Sequence, residues 1–124
     1  MTTILVVDNS LVNLELVRST LGPFGYKIVA APNVQEAVTL ARQNQPDLIL
    51  SDLHMPGQDG FDFIRAVKAD PELRAIPFVF ISSTVWQDKD RVDGLALGAE
   101  KFIVRPIEPQ ELLREVEACL RGKE

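Results

Sequence analysis

Cysteine is almost absent. Cys119 is the only one, so the chain can form no internal disulfide and no cysteine cluster that would hold zinc or iron. Basic charge is also in deficit: 13 Lys and Arg against 18 Asp and Glu leave a formal net charge of −5. That balance argues against direct binding to nucleic acid or an anionic membrane, since both need a basic surface to offset phosphate. The apolar runs fall far short of the roughly 20 residues of a membrane-spanning helix, and no basic, apolar and small-residue leader opens the chain. Repeats, low-complexity tracts and linkers are missing too. The expectation is a soluble cytoplasmic protein with one domain over residues 1–124, because a chain of 124 residues that is 46% hydrophobic can bury one core unaided but not two.

What is present is alternation. Ile4-Leu5-Val6-Val7 is an apolar run of the kind that fills a buried strand, and Asp8-Asn9-Ser10 follows it with turn and N-cap chemistry. Leu11, Leu14, Val17 and Leu21 then fall on one helical face, which Gly22-Pro23 ends. Tyr26 to Ala31 reads as a second strand, and Asn33 as the cap of a helix carrying Val34, Ala37, Val38 and Ala41. Asp47 to Ser51 is a third strand that runs into Asp52 and a loop with Pro56, Gly57 and Gly60. A helix with Phe61, Ile64 and Val67 leads to a fourth strand, Phe78 to Ile81, which ends at Ser82-Ser83-Thr84. Val92, Leu95 and Ala96 suggest a short helix, Lys101 to Val104 a fifth strand, and Leu112, Leu113, Val116, Cys119 and Leu120 the face of a last helix. Five strands alternating with five helices predict an α/β, doubly wound parallel sheet covered on both faces, since each parallel connection needs a crossover.

In open parallel sheets, ligands bind beyond the carboxyl ends of the strands. Asp8 and Asn9 end the first strand, Asp52 the third, Ser82 and Ser83 the fourth, and Arg105 the fifth. Two carboxylates, an amide, hydroxyls and a guanidinium suit an oxygen-liganded cation such as Mg2+ beside a phosphoryl group. A carboxylate can attack phosphorus to form an acyl phosphate. Taken singly, each residue has a plainer reading. Asp52, Asp8 and Asn9 each suit a helix cap or turn, Ser82 and Ser83 can satisfy backbone groups, and Arg105 can be a surface cation. His54 has no companion at metal-ligand spacing, Cys119 falls on an apolar helix face, and Trp86 sits in a polar stretch that does not assign it.

Val6-Val7-Asp8, Asp52-Leu53-His54-Met55-Pro56 with Asp59-Gly60, then Ser82, and Gly98-Ala99 through Arg105-Pro106 together resemble the response-regulator receiver domains of two-component signalling, across nearly the whole chain. The resemblance implies a flavodoxin-like fold with strand order 2-1-3-4-5. It makes Asp52 the acceptor of a phosphoryl group from a histidine kinase or phosphotransfer protein. Mg2+ would be held by Asp8, Asp52, the backbone carbonyl of His54 and, less securely, Asn9. Ser82 and Arg105 would bind the phosphoryl group, and Ser82 and Phe102 would form the switch. Output would pass by contact to a downstream protein or an attached domain, and the surface of the fourth helix, fifth strand and last helix is where such domains pair as homodimers. The chain would not be an enzyme beyond self-phosphorylation from small donors and self-dephosphorylation. The expectation is a receiver without an effector domain of its own, either free-standing or part of a longer protein.

Two positions depart from the pattern. Receivers usually carry two adjacent acids after the first strand and a lysine before the proline after the fifth, where this chain has Asn9 and Arg105. A neutral ligand at position 9 implies weaker Mg2+ binding, and a planar guanidinium is not equivalent to an ammonium at a phosphate contact. The competing reading is therefore a phosphorylation-impaired receiver acting as a constitutive interaction module. A small hydrolase using Asp52 ranks last, since the chain has neither a cap insertion nor a Gly-rich phosphate loop.

Overall fold

Apolar runs that can bury both faces form the strands and amphipathic segments form the helices in the computed structural model, which describes residues 1–53, 55, 57, 59–82 and 88–122. The order is β1 (Thr3–Val7), α1 (Leu11–Leu21), a short 3-10 helix (Gly22–Phe24), β2 (Lys27–Ala31), α2 (Val34–Asn44), β3 (Leu48–Ser51), α3 (Gly60–Ala69), β4 (Phe78–Ser82), α4 (Asp88–Ala96), β5 (Lys101–Val104) and α5 (Pro109–Gly122). All strand pairs are parallel, and the sheet order is β2-β1-β3-β4-β5, the order implied by the resemblance. His54, Pro56, Ser83, Thr84, Trp86 and Gln87 lie outside the described residues.

Side chains alternate across the sheet and give it two cores. Ile4, Val6, Leu48, Leu50, Val79 and Ile81 pack with Leu14, Val17 and Leu21 of α1 and with Leu112, Val116 and Cys119 of α5. Leu5, Val7, Ile49, Phe78 and Phe80 pack on the other face with Ala37 and Ala41 of α2 and Phe63, Ile64 and Val67 of α3. Phe63, Phe78 and Phe80 are fully buried, each contributing roughly 1.5–3 kcal/mol. Helix starts are fixed by side-chain caps: Ser10 accepts from Asn13 N, Asn33 from Glu36 N, and Asp59 and Asp62 form a reciprocal capping box.

Four local expectations are corrected. Leu11 is 74% exposed, because the first turn of α1 stands at the rim where the sheet has ended. Gly22-Pro23 does not stop the chain abruptly but enters the 3-10 turn, and Gly25, at φ 92°, makes the reversal. In α3 it is Phe63 that enters the core, while Phe61 is only partly buried, edge-on to Phe80 with ring centroids 5.8 Å apart. In α4 Val92, Leu95 and Ala96 face outward, and the helix lies on the sheet through Gly94, where a Cβ would stand 3.0 Å from Phe80 Cε2.

Candidate functional site

Backbone pairing runs one step past the strands and carries the polar residues with it. Asp8 N donates to Ala31 O at 3.1 Å, Asp52 N to Val7 O at 2.8 Å, and Arg105 N to Ser82 O at 2.9 Å. These bonds line up the ends of β1, β3, β4 and β5 on one edge. Asp8 is 1% exposed, Asp52 8% and Ser82 fully buried. Three buried polar groups at one sheet edge are costly unless each is partnered. Gly60, the first residue of α3, permits the tight packing around Asp52: a Cβ there would lie 2.5 Å from the Asp52 carbonyl oxygen and 2.8 Å from Phe80. Its N–H donates to Leu53 O at 2.7 Å.

Each Asp8 oxygen is engaged. Oδ1 accepts from Ser10 N at 2.9 Å, and Oδ2 accepts from Asn13 Nδ2 at 3.1 Å. Arg105 Nη2 lies 3.0 Å from the same Oδ2, and its side chain is 11% exposed. Among the described residues neither Nη1 nor Nη2 has a hydrogen-bond partner, so this contact is an ion pair held by charge and not by an aligned N–H···O bond. Asp52 Oδ1 accepts from Leu53 N at 2.8 Å. Burial raises the Asp52 pKa first and the Asp8 charge raises it further, while the Leu53 N–H, the Arg105 charge and a hydrogen bond with Ser82 pull it down.

Two carboxylates that repel one another beside one guanidinium leave the pocket with excess negative charge. That fits a hard cation such as Mg2+, which is usually held by one or two carboxylates and keeps several waters. Among the described residues no group of three or more His, Cys, Asp or Glu side chains comes together, so the protein would supply Asp8 and Asp52 as its charged ligands. Asn9 is exposed and stands beside this pocket without being among its buried groups. The His54 carbonyl lies outside the described residues. Phe102 is half-buried, its ring centroid 5.3 Å from Phe80 in a chain of aromatics that continues through Phe78 to Phe63.

Asp8, Asp52, Ser82 and Arg105 thus come together at one sheet edge, and Ser10, Asn13 and Gly60, which the sequence reading does not single out for this, are the groups that position them. Asn13 does carry a signal: an amide five residues past the acid is placed by the first helical turn to face back on Asp8, whereas Ser10 reaches Asp8 through its backbone N–H while its hydroxyl caps the helix.

The chain belongs to the response regulator receiver domain family, whose model matches residues 4–117. It is a phosphoacceptor module of two-component signalling and not a classical enzyme. Among its relatives, protein PilH of Pseudomonas aeruginosa is 37% identical over 98% of this chain and 100% of its own length. Response regulator PleD of Caulobacter vibrioides is 38% identical over 97% of this chain, which spans only 26% of that protein. In structure the chain is similar to Vibrio cholerae chemotaxis protein CheY4, with a TM-score of 0.89 and 30% identity over 96% of this chain and 98% of that one. The receiver domain of a histidine kinase from Syntrophus aciditrophicus gives 0.88 and 34% over 98% of this chain and 92% of that one. Receiver domains interact with histidine kinases or phosphotransfer proteins and generally bind Mg2+ at their acidic pocket. Among the described residues no helix is long and apolar enough to cross a membrane.

Proposed function

We propose that Asp52 is the residue that takes the phosphoryl group, from the phosphohistidine of a kinase or phosphotransfer protein. A carboxylate oxygen of Asp52 attacks phosphorus, the P–N bond breaks, and the imidazole leaves with the bonding pair as an acyl phosphate forms. The Leu53 N–H holds the carboxylate in orientation, and the Ser82 hydroxyl and Arg105 guanidinium take up the phosphoryl oxygens. Asp8 and Asp52 would hold Mg2+, with the His54 carbonyl and Asn9 as neutral ligands. The cation would offset repulsion between the anionic carboxylate and the anionic donor.

The observation that carries this reading is Asp52 itself: a carboxylate 8% exposed, at a strand end, hydrogen-bonded by Leu53 and Ser82 and facing a second acid. Burial of two mutually repelling acids has no structural benefit that an apolar pair would not exceed, so chemistry is the better account of it. Leu11, Val12 and Leu16 expose apolar surface on α1 beside the pocket and support docking of the donor protein there. Val92, Leu95 and Val104 do the same on α4 and β5 for the output contact or a homodimer.

Acetyl phosphate with Mg2+ tests the assignment. Wild type becomes labelled and loses the label to hydroxylamine, as an acyl phosphate does, and Asp52→Asn does not. Label retained in Asp52→Asn overturns the assignment. No label on either protein favours the constitutive interaction module, for which the engagement of Arg105 by Asp8 is the supporting observation.

A further inference from the structure

The first turn of α1 closes a ring of hydrogen bonds around Asp8. Ser10 N donates to Asp8 Oδ1 at 2.9 Å, the Ser10 hydroxyl accepts from Asn13 N at 3.3 Å, and Asn13 Nδ2 reaches back to Asp8 Oδ2 at 3.1 Å. Both carboxylate oxygens are therefore held by N–H donors from one helical turn. The donor at Ser10 is backbone, and the choice of side chain enters only at Asn13. That residue also lines a mostly apolar groove with Leu16, Val17, Ile107 and Leu112, which offers its amide little in place of Asp8.

We propose that Asn13 is a positioning residue for the cation site, whose amide fixes the plane of the Asp8 carboxylate so that its remaining lone pairs face Mg2+. The proposal rests on the phosphoacceptor reading for the identity of the cation. An ionised carboxylate has about four lone-pair sites, so one N–H on each oxygen leaves each oxygen a site for the metal. With Ser10 N alone the group could pivot about Oδ1, and a second donor on Oδ2 stops that rotation. Arg105 lies near Oδ2 but forms no aligned bond there among the described residues, so it supplies charge without setting orientation. Asn13 does the reverse: being neutral, it orients the acid and leaves its full negative charge to the cation. Mg2+ demands near-ideal octahedral geometry, and with the neutral Asn9 exposed beside the pocket, the orientation of each remaining acid weighs more. Hydrogen-bond partners that orient a metal ligand typically change metal affinity by roughly 10–100-fold.

The test is a calorimetric Mg2+ titration of Asn13→Leu, which keeps the shape of the side chain and removes the donor. Its affinity for Mg2+ falls about tenfold. Thr20→Val alters the same groove further along α1 and stays within about twofold of wild type, since Thr20 makes no bond to the acid. Labelling by acetyl phosphate adds a split that loss of structure would not give. Asn13→Leu needs about tenfold more Mg2+ for its half-maximal rate. Once Mg2+ saturates, it comes within about twofold of the wild-type rate, because the bound cation then holds the acid itself. Equal Mg2+ affinity in Asn13→Leu and wild type overturns the proposal. So does an equal fall in Thr20→Val, a rate that stays low at saturating Mg2+, or no Mg2+ binding by wild type. If Asn13→Leu does not fold, nuclear magnetic resonance of wild type decides. The Asn13 side-chain amide and the Ser10 backbone amide shift with one midpoint as Mg2+ is added, and an Asn13 signal that stays fixed while Mg2+ saturates overturns the proposal. Mg2+ affinity that depends on Asn13 without any labelling of wild type overturns the phosphoacceptor reading alone, and labelling with no dependence on Asn13 overturns this proposal alone.

Discussion

Arg105 and Asp8 form an ion pair at 3.0 Å across the carboxyl edge of the sheet, with side chains only 11% and 1% exposed. The pair joins the residue after β5 to the residue after β1 and makes the pocket more than a row of separate strand ends. It also places Arg105 against an acid other than the expected phosphoacceptor.

Removing one member of a buried pair strands the other. Arg105→Ala leaves Asp8 with its Ser10 and Asn13 donors but no counter-charge, next to a second acid that already feels it. The expected loss is about 3–5 kcal/mol, read as a lower urea midpoint with unchanged slope. Adding Asp8→Asn to that variant restores part of the stability, because the stranded charge is gone.

Asp52 sets a pH dependence of definite sign. Its carboxyl is pushed above the ordinary 3.8, first by burial and then by Asp8, so the folded state holds the proton more tightly than the unfolded state. That contribution is fully present below pH 3.8 and is lost as pH rises through the raised value, where the buried group must ionise. Asp52→Asn is therefore more stable than wild type at neutral pH, and the gap closes as pH falls toward 3.8. Urea melts of both proteins from pH 3 to 8 check it, the range being chosen to span about the ordinary and raised carboxylate values; a gap that widens toward acid contradicts the shift.

The strands were legible because they are buried on both faces: Ile4 to Val7, Leu48 to Leu50 and Phe78 to Ile81 are unbroken apolar runs in which no helical period competes. The pocket acids were legible for a related reason, since a polar residue directly after such a run has to stand at the sheet edge. The packing of α4 was not. Its contact with the sheet is Gly94, a residue with no side chain to show in a hydrophobic pattern, and Val92 and Leu95 mark instead a face left open. The Arg105–Asp8 pair was hidden as well. It depends on how far one side chain reaches across two intervening strands, which spacing along the chain does not encode.

Gly60 carries both fold and site. A methyl group there would lie 2.5 Å from the Asp52 carbonyl oxygen and 3.0 Å from Leu53 Cα, backbone atoms that cannot turn aside as a flexible side chain would. Gly60→Ala must move the start of α3 away from β3, an overpacking cost of about 1–3 kcal/mol. Because the added methyl presses on the backbone of Asp52 itself, phosphorylation by acetyl phosphate falls along with stability. Thermal melts and labelling rates measured together check this, and a variant that keeps both contradicts it.

The exposed apolar residues of α1 make the last prediction. Leu11 and Leu16 are 74% and 60% exposed on the helix that starts at the pocket rim, and neither contributes to the core beneath. Replacing both with serine changes stability by no more than about 0.5 kcal/mol per site, as is usual for surface positions. A small donor needs no docking surface, so labelling by acetyl phosphate keeps its rate. Transfer from a phosphorylated histidine phosphotransfer protein slows about tenfold or more, because the loss of two apolar contacts at a recognition surface acts on encounter and residence. Parallel assays with the two donors check the prediction: equal slowing with both places the defect in the pocket, and no slowing with either moves the docking surface off α1.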